Sequence, residues 1–488
     1  MAVVRRYAVM EHENLFFNLN KSQGVKMLSR RKALVASGCG FGYLAFSALA
    51  TEASERGQQN PLVQRKPHFP AAAKRVIFLC MRGGPSHVDT FDYKPQLDKF
   101  DGKAPGAAAT GLNVQKGRKL KKSPWKFQQH GESGLPISSL YPHLSRHADD
   151  LCLLNGSYTD IPNHPQALVQ LHTGSFQFVR PSVGAWVLYG LGTDNQDLPG
   201  FITIKPPARL GGAQNYGSGF LPAVYQGTPI SDIRSSSPIA NVRNPNVSKL
   251  MQRKQLDLLQ AMNRDSAERN PLNSELEGVI ESYELGYRMQ SAVPEVLDLA
   301  SESAKTLSSY GIGNAKSDEF GRQCLMARRF AEAGVRFIEL THEGWDQHNN
   351  LSAKLSSNCE ATDLPIAGLI GDLKQRDMLK DTLVIWSGEF GRTPAVRRSD
   401  GRDHNATGYT VWMCGAGVKG GIRYGATDDF GIAAVEDRMH VHDLHATTLH
   451  LLGLDHTKLT YRYAGRDFRL TDVYGRVASE IIASTNNG

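Results

Sequence analysis

The chain has 488 residues, 40% of them hydrophobic and 21% charged, a make-up that excludes disordered, collagen-like and multi-span membrane proteins. The formal charge is +8, from 56 Lys and Arg against 48 Asp and Glu. The first 50 residues hold seven Lys/Arg and two Glu, so the rest carries 49 − 46 = +3, too little to argue for a nucleic-acid partner. One basic run, Arg118, Lys119, Lys121 and Lys122, reads as a solvated loop rather than a binding patch.

In chain order, the first feature is Arg30-Arg31 ahead of an uncharged stretch, Ala33 to Ala50, rich in Ala, Gly and Ser. This pattern reads as a twin-arginine export signal, with Ala48-Leu49-Ala50 as a small-x-small cleavage site. Cleavage is expected to leave no stable membrane span, because the stretch is only mildly apolar. Residues 1–50 are then leader, with the segment before Met27 an overlong start, and 51–73 a linker. Cys39 follows Ala36-Ser37-Gly38, a poor lipoprotein box. The expected location is periplasmic or secreted, reached in the folded state, a route compatible with a metal acquired before export. The remaining cysteines, Cys80, Cys152, Cys324, Cys359 and Cys414, are widely spaced and mostly within apolar runs. They read as buried thiols, not as a disulfide frame or a thiolate metal site.

Short apolar runs ending in turn residues predict buried strands at 75–81, 151–154, 335–340, 382–386 and 409–414. Between them helical spacing runs from Asp318 to Ala333, ending at Gly334, and from an N-cap at Asp443 to Gly453. Residues 247–307 carry no strand signal and mixed charge at helical spacing, and read as a helical insertion. Pro206 to Ile230 is Gly- and Pro-rich and reads as a long ordered loop near the working face. The alternation is that of an α/β protein, in which loops leaving the carboxyl ends of strands gather ligands.

Those loops are polar in a concentrated way. His342, Glu343, Asp346 and His348 crowd into seven positions after one strand, and Asp346-x-His348 puts two side chains on one side of an extended segment. Imidazole nitrogen and carboxylate oxygen at that density suit a divalent ion such as zinc; a hydrogen-bonded loop is the plainer reading. After the strand at 382, Gly388-Glu389-Phe390-Gly391-Arg392 offers Glu389 as ligand and Arg392 as anion clamp, or else an internal ion pair between the two. Arg402-Asp403-His404 precedes the last strand, and Arg82-Gly83-Gly84-Pro85-Ser86-His87-Val88-Asp89 follows the first. Asn163-His164 opens a helix running to His172, Thr173 and Gly174, and helix starts favour anions. His440, His442 and His445 around Asp443 read as a capped first turn, with one histidine facing the cleft, in preference to a second metal site.

In this order the motifs resemble the family called domain of unknown function 1501, a sulfatase-like branch of the alkaline phosphatase superfamily. The likeness spans Lys74 to Val477. It rests on Arg82 to Asp92, on Gly219 to Gly227, on Leu171-His172-Thr173-Gly174 and on the Asp443-Leu444-His445-Ala446-Thr447 helix start. The resemblance implies an alkaline-phosphatase-like three-layer α/β/α sandwich over 74–480, with a mostly parallel sheet and 247–307 inserted. It also implies hydrolysis of phosphate or sulfate esters with one or two divalent ions: zinc, calcium or manganese. Asp346, His348 and His404 then look like one metal site, with Glu389 in place of the superfamily's motif aspartate and Phe390 in place of its histidine. Arg82 stands where the first strand should end in a metal-binding aspartate, so that His87 or Asp89 would have to substitute.

The largest departure is the nucleophile. The family position for Cys, Ser or Thr falls on His164 beside Asn163, where no hydroxyl or thiol exists. An ordinary formylglycine sulfatase is therefore not expected. The sequence supports an exported metallohydrolase with water as attacking group, His164 as acid/base or ligand, and Arg82, Arg392 and Arg402 as contacts for an anionic ester, such as a sulfated or phosphorylated saccharide. The competing expectation is a non-catalytic exported binding protein on the same fold.

Overall fold

The computed structural model describes residues 60–104, 118–235, 238–239, 246–269, 274–396 and 400–483. The expected export signal and residues 51–59 of the expected linker lie outside the described residues.

The apolar runs become the centre of a nine-stranded sheet. Its strands are β1 (Arg75–Met81), β2 (Cys152–Tyr158), β3 (Phe201–Ile204), β4 (Thr228–Ile230), β5 (Phe337–His342), β6 (Thr382–Ser387), β7 (Tyr409–Cys414), β8 (Ile422–Tyr424) and β9 (Met439–His440). The order across the sheet is β8-β2-β7-β6-β1-β5-β3-β4, with β9 beside β2. All neighbours are parallel except that β7 runs against both β2 and β6. Every residue of β6 and β7 is buried, as expected of strands covered on both faces.

The topology explains the site. Because β7 is antiparallel, the segment entering it meets the segments leaving β1, β5 and β6 at one edge of the sheet. The segment leaving β2 arrives at that same edge and opens helix α1 (His164–Thr173).

The helix at Asp318–Glu332 is confirmed, with Asp318 and Glu319 in its first turn, where they complement the helix dipole. It buries Phe320, Cys324, Leu325, Ala327 and Ala331, and stops at Gly334, whose φ of +90° only glycine adopts freely. Helices at Lys249–Arg269 and Ser274–Leu297 fill the segment expected to be helical. The stretch after Pro206 is an ordered connection that holds two short 3-10 turns and ends in β4. Cys80, Cys152, Cys324, Cys359 and Cys414 are all buried and form no disulfide.

Candidate metal centre

Four loops deliver side chains to one point above the carboxyl edge of β1, β5 and β6. His348 Nε2 lies 3.0 Å from Asp346 Oδ1, and His404 Nε2 lies 3.4 Å from the same oxygen. The two Nε2 atoms are 2.9 Å apart. His164 Nε2 adds a contact of 3.2 Å to Asp346 Oδ1. His164, Asp346 and His404 each offer one ligand atom within 4.8 Å of the others. Bonds of about 2.0–2.2 Å to one ion would place ligand atoms roughly 2.8–3.6 Å apart, and the contacts among Asp346, His348 and His404 run from 2.9 to 3.4 Å.

Each imidazole is anchored through its other nitrogen. His404 Nδ1 is 2.8 Å from the carbonyl of Pro162, which can only accept, so Nδ1 carries the proton. His348 Nδ1 is 2.9 Å from Asp403 Oδ1, and His164 Nδ1 is 2.5 Å from Glu389 Oε1. All three Nε2 atoms are thereby left to face the centre, the pattern by which surrounding acceptors orient histidine ligands. Two imidazole lone pairs facing each other at 2.9 Å repel unless a cation or a proton lies between them. The donor set of two imidazoles, from His348 and His404, and the Asp346 carboxylate fits a divalent ion of the zinc or manganese kind better than calcium.

The surroundings tune these groups. Burial alone would lower the pKa of His164, but the neighbouring Asp346 carboxylate and the hydrogen bond His164 donates to Glu389 outweigh it and raise it to about 8. Burial would raise the Asp346 carboxyl, yet His164, His404 and Arg392 hold it well below the usual carboxylate range. Asp403 is likewise held low against its burial, by His348 and Arg118. The backbone comes close: a Cβ on Gly83 would sit 2.4 Å from the Asp346 nitrogen, and one on Gly401 would sit 1.8 Å from the His348 carbonyl oxygen. A cavity of about 510 Å³ opens over His348 and His404, with Arg118, Asp160 and Thr393 on its wall.

The sequence matches the family described as "Protein of unknown function (DUF1501)" over residues 73–482. The chain belongs to that family. No curated protein matches it. Among solved structures, the lipoteichoic acid synthase LtaP from Listeria monocytogenes is 11% identical at a TM-score of 0.34, covering 86% of this chain and 80% of that one. The PsFucS1 sulfatase from Pseudoalteromonas sp. is 12% identical at a TM-score of 0.33, covering 85% and 71%. The alkaline phosphatase of the Antarctic bacterium TAB5 is 11% identical at a TM-score of 0.33, covering 79% and 99%.

In this DUF1501 chain the structure brings Asp346, His348, His404, His164, Glu389 and Arg392 together, and it assigns partners that differ from some expectations. Glu389, fully buried, accepts from the Gly83 nitrogen on both oxygens at 3.0 and 3.1 Å and from His164, so it orients a histidine rather than facing the centre. Nor does it pair with Arg392. That guanidinium donates to the carbonyls of Gly83, Gly84 and Arg402 and, at 2.7 Å, to Asp346 Oδ1. Its donors are committed to the protein, so it braces Asp346 instead of clamping an anion.

His87 and Asp89 stay out of the cluster. His87 Nε2 donates to the Gly431 carbonyl at 2.8 Å. Asp89 forms a fully buried two-point pair with Arg402, at 2.6 and 3.0 Å, which removes both from ligand and substrate roles. Arg82 turns to Glu343, at 2.5 Å. Asn163 is the exposed N-cap of α1, its side chain making no cap bond. Phe390 lies 4.7 Å from the ring centres of both His164 and His404, an apolar floor beneath them. Asp403 is the residue that sequence reasoning passed over; its place beside His404 in Arg402-Asp403-His404 was the available signal. The Pro162 carbonyl has no sequence signature.

The helix after β9, α2 (Val441–Leu451), corrects a cap. His440, not Asp443, is the N-cap, and Asp443 answers from the third helical position, accepting from the His440 nitrogen at 2.8 Å. His442 and His445 hydrogen-bond the carbonyls of Gly174 and Leu171, so they tie α2 to the end of α1.

Proposed function

We propose that this chain is an exported, metal-dependent hydrolase of sulfate or phosphate esters that works without a formylglycine or a Ser/Thr nucleophile. The observation that carries this reading is the convergence of His348 Nε2, His404 Nε2 and Asp346 Oδ1 while the opposite imidazole nitrogens are committed elsewhere. Asp346, His348 and His404 would hold the ion. Bound there, a divalent cation supplies Lewis-acid polarisation of an anionic ester and a more acidic water at neutral pH.

The chain's own groups supply the remainder. Glu389 fixes His164 with Nδ1–H donating, and His164 Nε2 lacks an aligned hydrogen-bond partner, so this atom can hold a proton for the leaving oxygen. Arg392 keeps Asp346 ionised and in place. The cavity beside His348 and His404 admits the ester, with sulfated or phosphorylated saccharides as the substrate class. Export is supported by Arg30-Arg31 and the uncharged stretch after it. Among the described residues no helix is long and apolar enough to cross a membrane.

Aryl sulfate and aryl phosphate hydrolysis by protein loaded with zinc or manganese tests the proposal. Turnover should depend on the ion and vanish in His404→Ala, while His164→Ala should keep the ion and lose roughly 10²–10⁴-fold in kcat. Tight metal binding with no turnover of either ester class would favour the second reading, an exported binding protein, which the missing hydroxyl or thiol at Asn163-His164 supports.

A further inference from the structure

A second cluster lies deeper, under the far end of α1. Cys80 near the end of β1, Glu339 in β5 and His172 in α1 place one sulfur, one carboxylate oxygen and one imidazole nitrogen within 4.8 Å of one another, and all three residues are buried. His172 Nδ1 is 2.7 Å from the Leu168 carbonyl and therefore carries a proton, leaving Nε2 to face the cluster, 3.1 Å from Glu339 Oε1.

The cluster is short of partners. Glu339 Oε2, Thr203 Oγ1 and Thr341 Oγ1 are buried and have no hydrogen bond. Strand register puts them on one face: Thr203 is beside Glu339, Thr341 beside Cys80, and Glu339 and Thr341 are two apart in β5. An ion pair between His172 and Glu339 would account for one carboxylate oxygen only. Orphaned oxygens at this depth cost about 1–3 kcal/mol each.

We propose that Cys80, His172 and Glu339 bind a structural zinc ion, with an oxygen from Thr203, Thr341 or a water as fourth ligand. The sulfur, nitrogen and oxygen set suits zinc. A thiolate, a carboxylate, a neutral imidazole and Zn²⁺ sum to zero charge, which a buried site requires. Binding releases the thiol proton of Cys80 and the Nε2 proton that His172 shares with Glu339 in the metal-free state, and no electrons move. The ion fastens α1 to β1 and β5, and His164 stands eight residues from His172 on the same helix, about 12 Å along its axis. The site therefore sets the position of His164 without touching substrate, and it holds whether or not the upper centre is a hydrolase.

X-ray absorption at the zinc edge on the full chain, purified after expression with its own leader, tests this without an activity readout. Wild type should show a sulfur neighbour at about 2.3 Å. That shell should persist in His348→Ala and vanish in Cys80→Ala. Glu339→Gln, near in shape, should lose about one zinc per chain while its circular dichroism stays that of wild type. A wild-type spectrum with nitrogen and oxygen neighbours only, or a sulfur shell that survives Cys80→Ala, would overturn the proposal and leave a buried His172–Glu339 ion pair.

Discussion

Glu389 and Arg392 form crossed pairs at the centre, Glu389 with His164 and Arg392 with Asp346. In metal-depleted protein His164 should titrate at about pH 8, raised by Asp346 and Glu389 against the lowering effect of burial. A folded pKa above the ordinary value of about 6.5 means that the protonated pair stabilises the metal-free fold fully below about pH 6.5 and is lost as pH rises through about 8. Imidazole NMR should show this titration, and Glu389→Gln should move it toward the ordinary value. A His164 that titrates unchanged in Glu389→Gln would remove Glu389 as its orienting partner. At this scale the ligand types were legible because Asp346, His348 and His404 sit in dense polar loops. Partner choice was not: whether Asp89 faces an ion or Arg402 depends on how segments 313 positions apart are brought together.

Elements show the same division. The strands at Arg75–Met81 and Tyr409–Cys414 were legible because parallel or doubly covered strands need unbroken apolar runs. Helix Leu351–Gln375 was not read from the sequence, because its buried side interleaves Leu355, Cys359, Ile366 and Leu373 with Thr362, Asp363 and an internal Pro365. Asp363 is buried to accept from the backbone nitrogens of His143 and Leu144, a contact no helical period encodes. The reciprocal cap of α2 has a measurable consequence. Asp443 accepts from the nitrogens of His440 at 2.8 Å and Arg476 at 2.6 Å, so Asp443→Ala should cost about 1–2 kcal/mol in denaturant unfolding, and Asp443→Asn clearly less. Equal losses in both would show that the two carboxylate oxygens act together, since an amide keeps only one acceptor for the two nitrogens.

For the molecule as a whole, buried neutral histidines set the acid limit. Burial lowers His445 to about 3 and His342 to about 4. Depressed folded values mean that both support the fold above about pH 6.5 and work against it increasingly as pH falls toward 4 and 3. Thermal midpoints should therefore decline between about pH 6.5 and 4, and His445→Gln should flatten that slope; an unchanged slope would assign acid lability to other groups. The polar cluster around Cys80 was equally hidden in the sequence, since Cys80, His172 and Glu339 look like isolated residues of apolar segments until β1, β5 and α1 are packed.

The central claim is that Asp346, His348 and His404 share one cation. Anomalous diffraction from crystals of the purified chain, collected at zinc and manganese edges, measures it directly. A peak is expected within about 2.0–2.2 Å of Asp346 Oδ1, His348 Nε2 and His404 Nε2, absent in crystals of His348→Ala, where any peak at the Cys80 cluster persists. Side chains in the same arrangement with no anomalous peak, in crystals grown with either metal present, would contradict it.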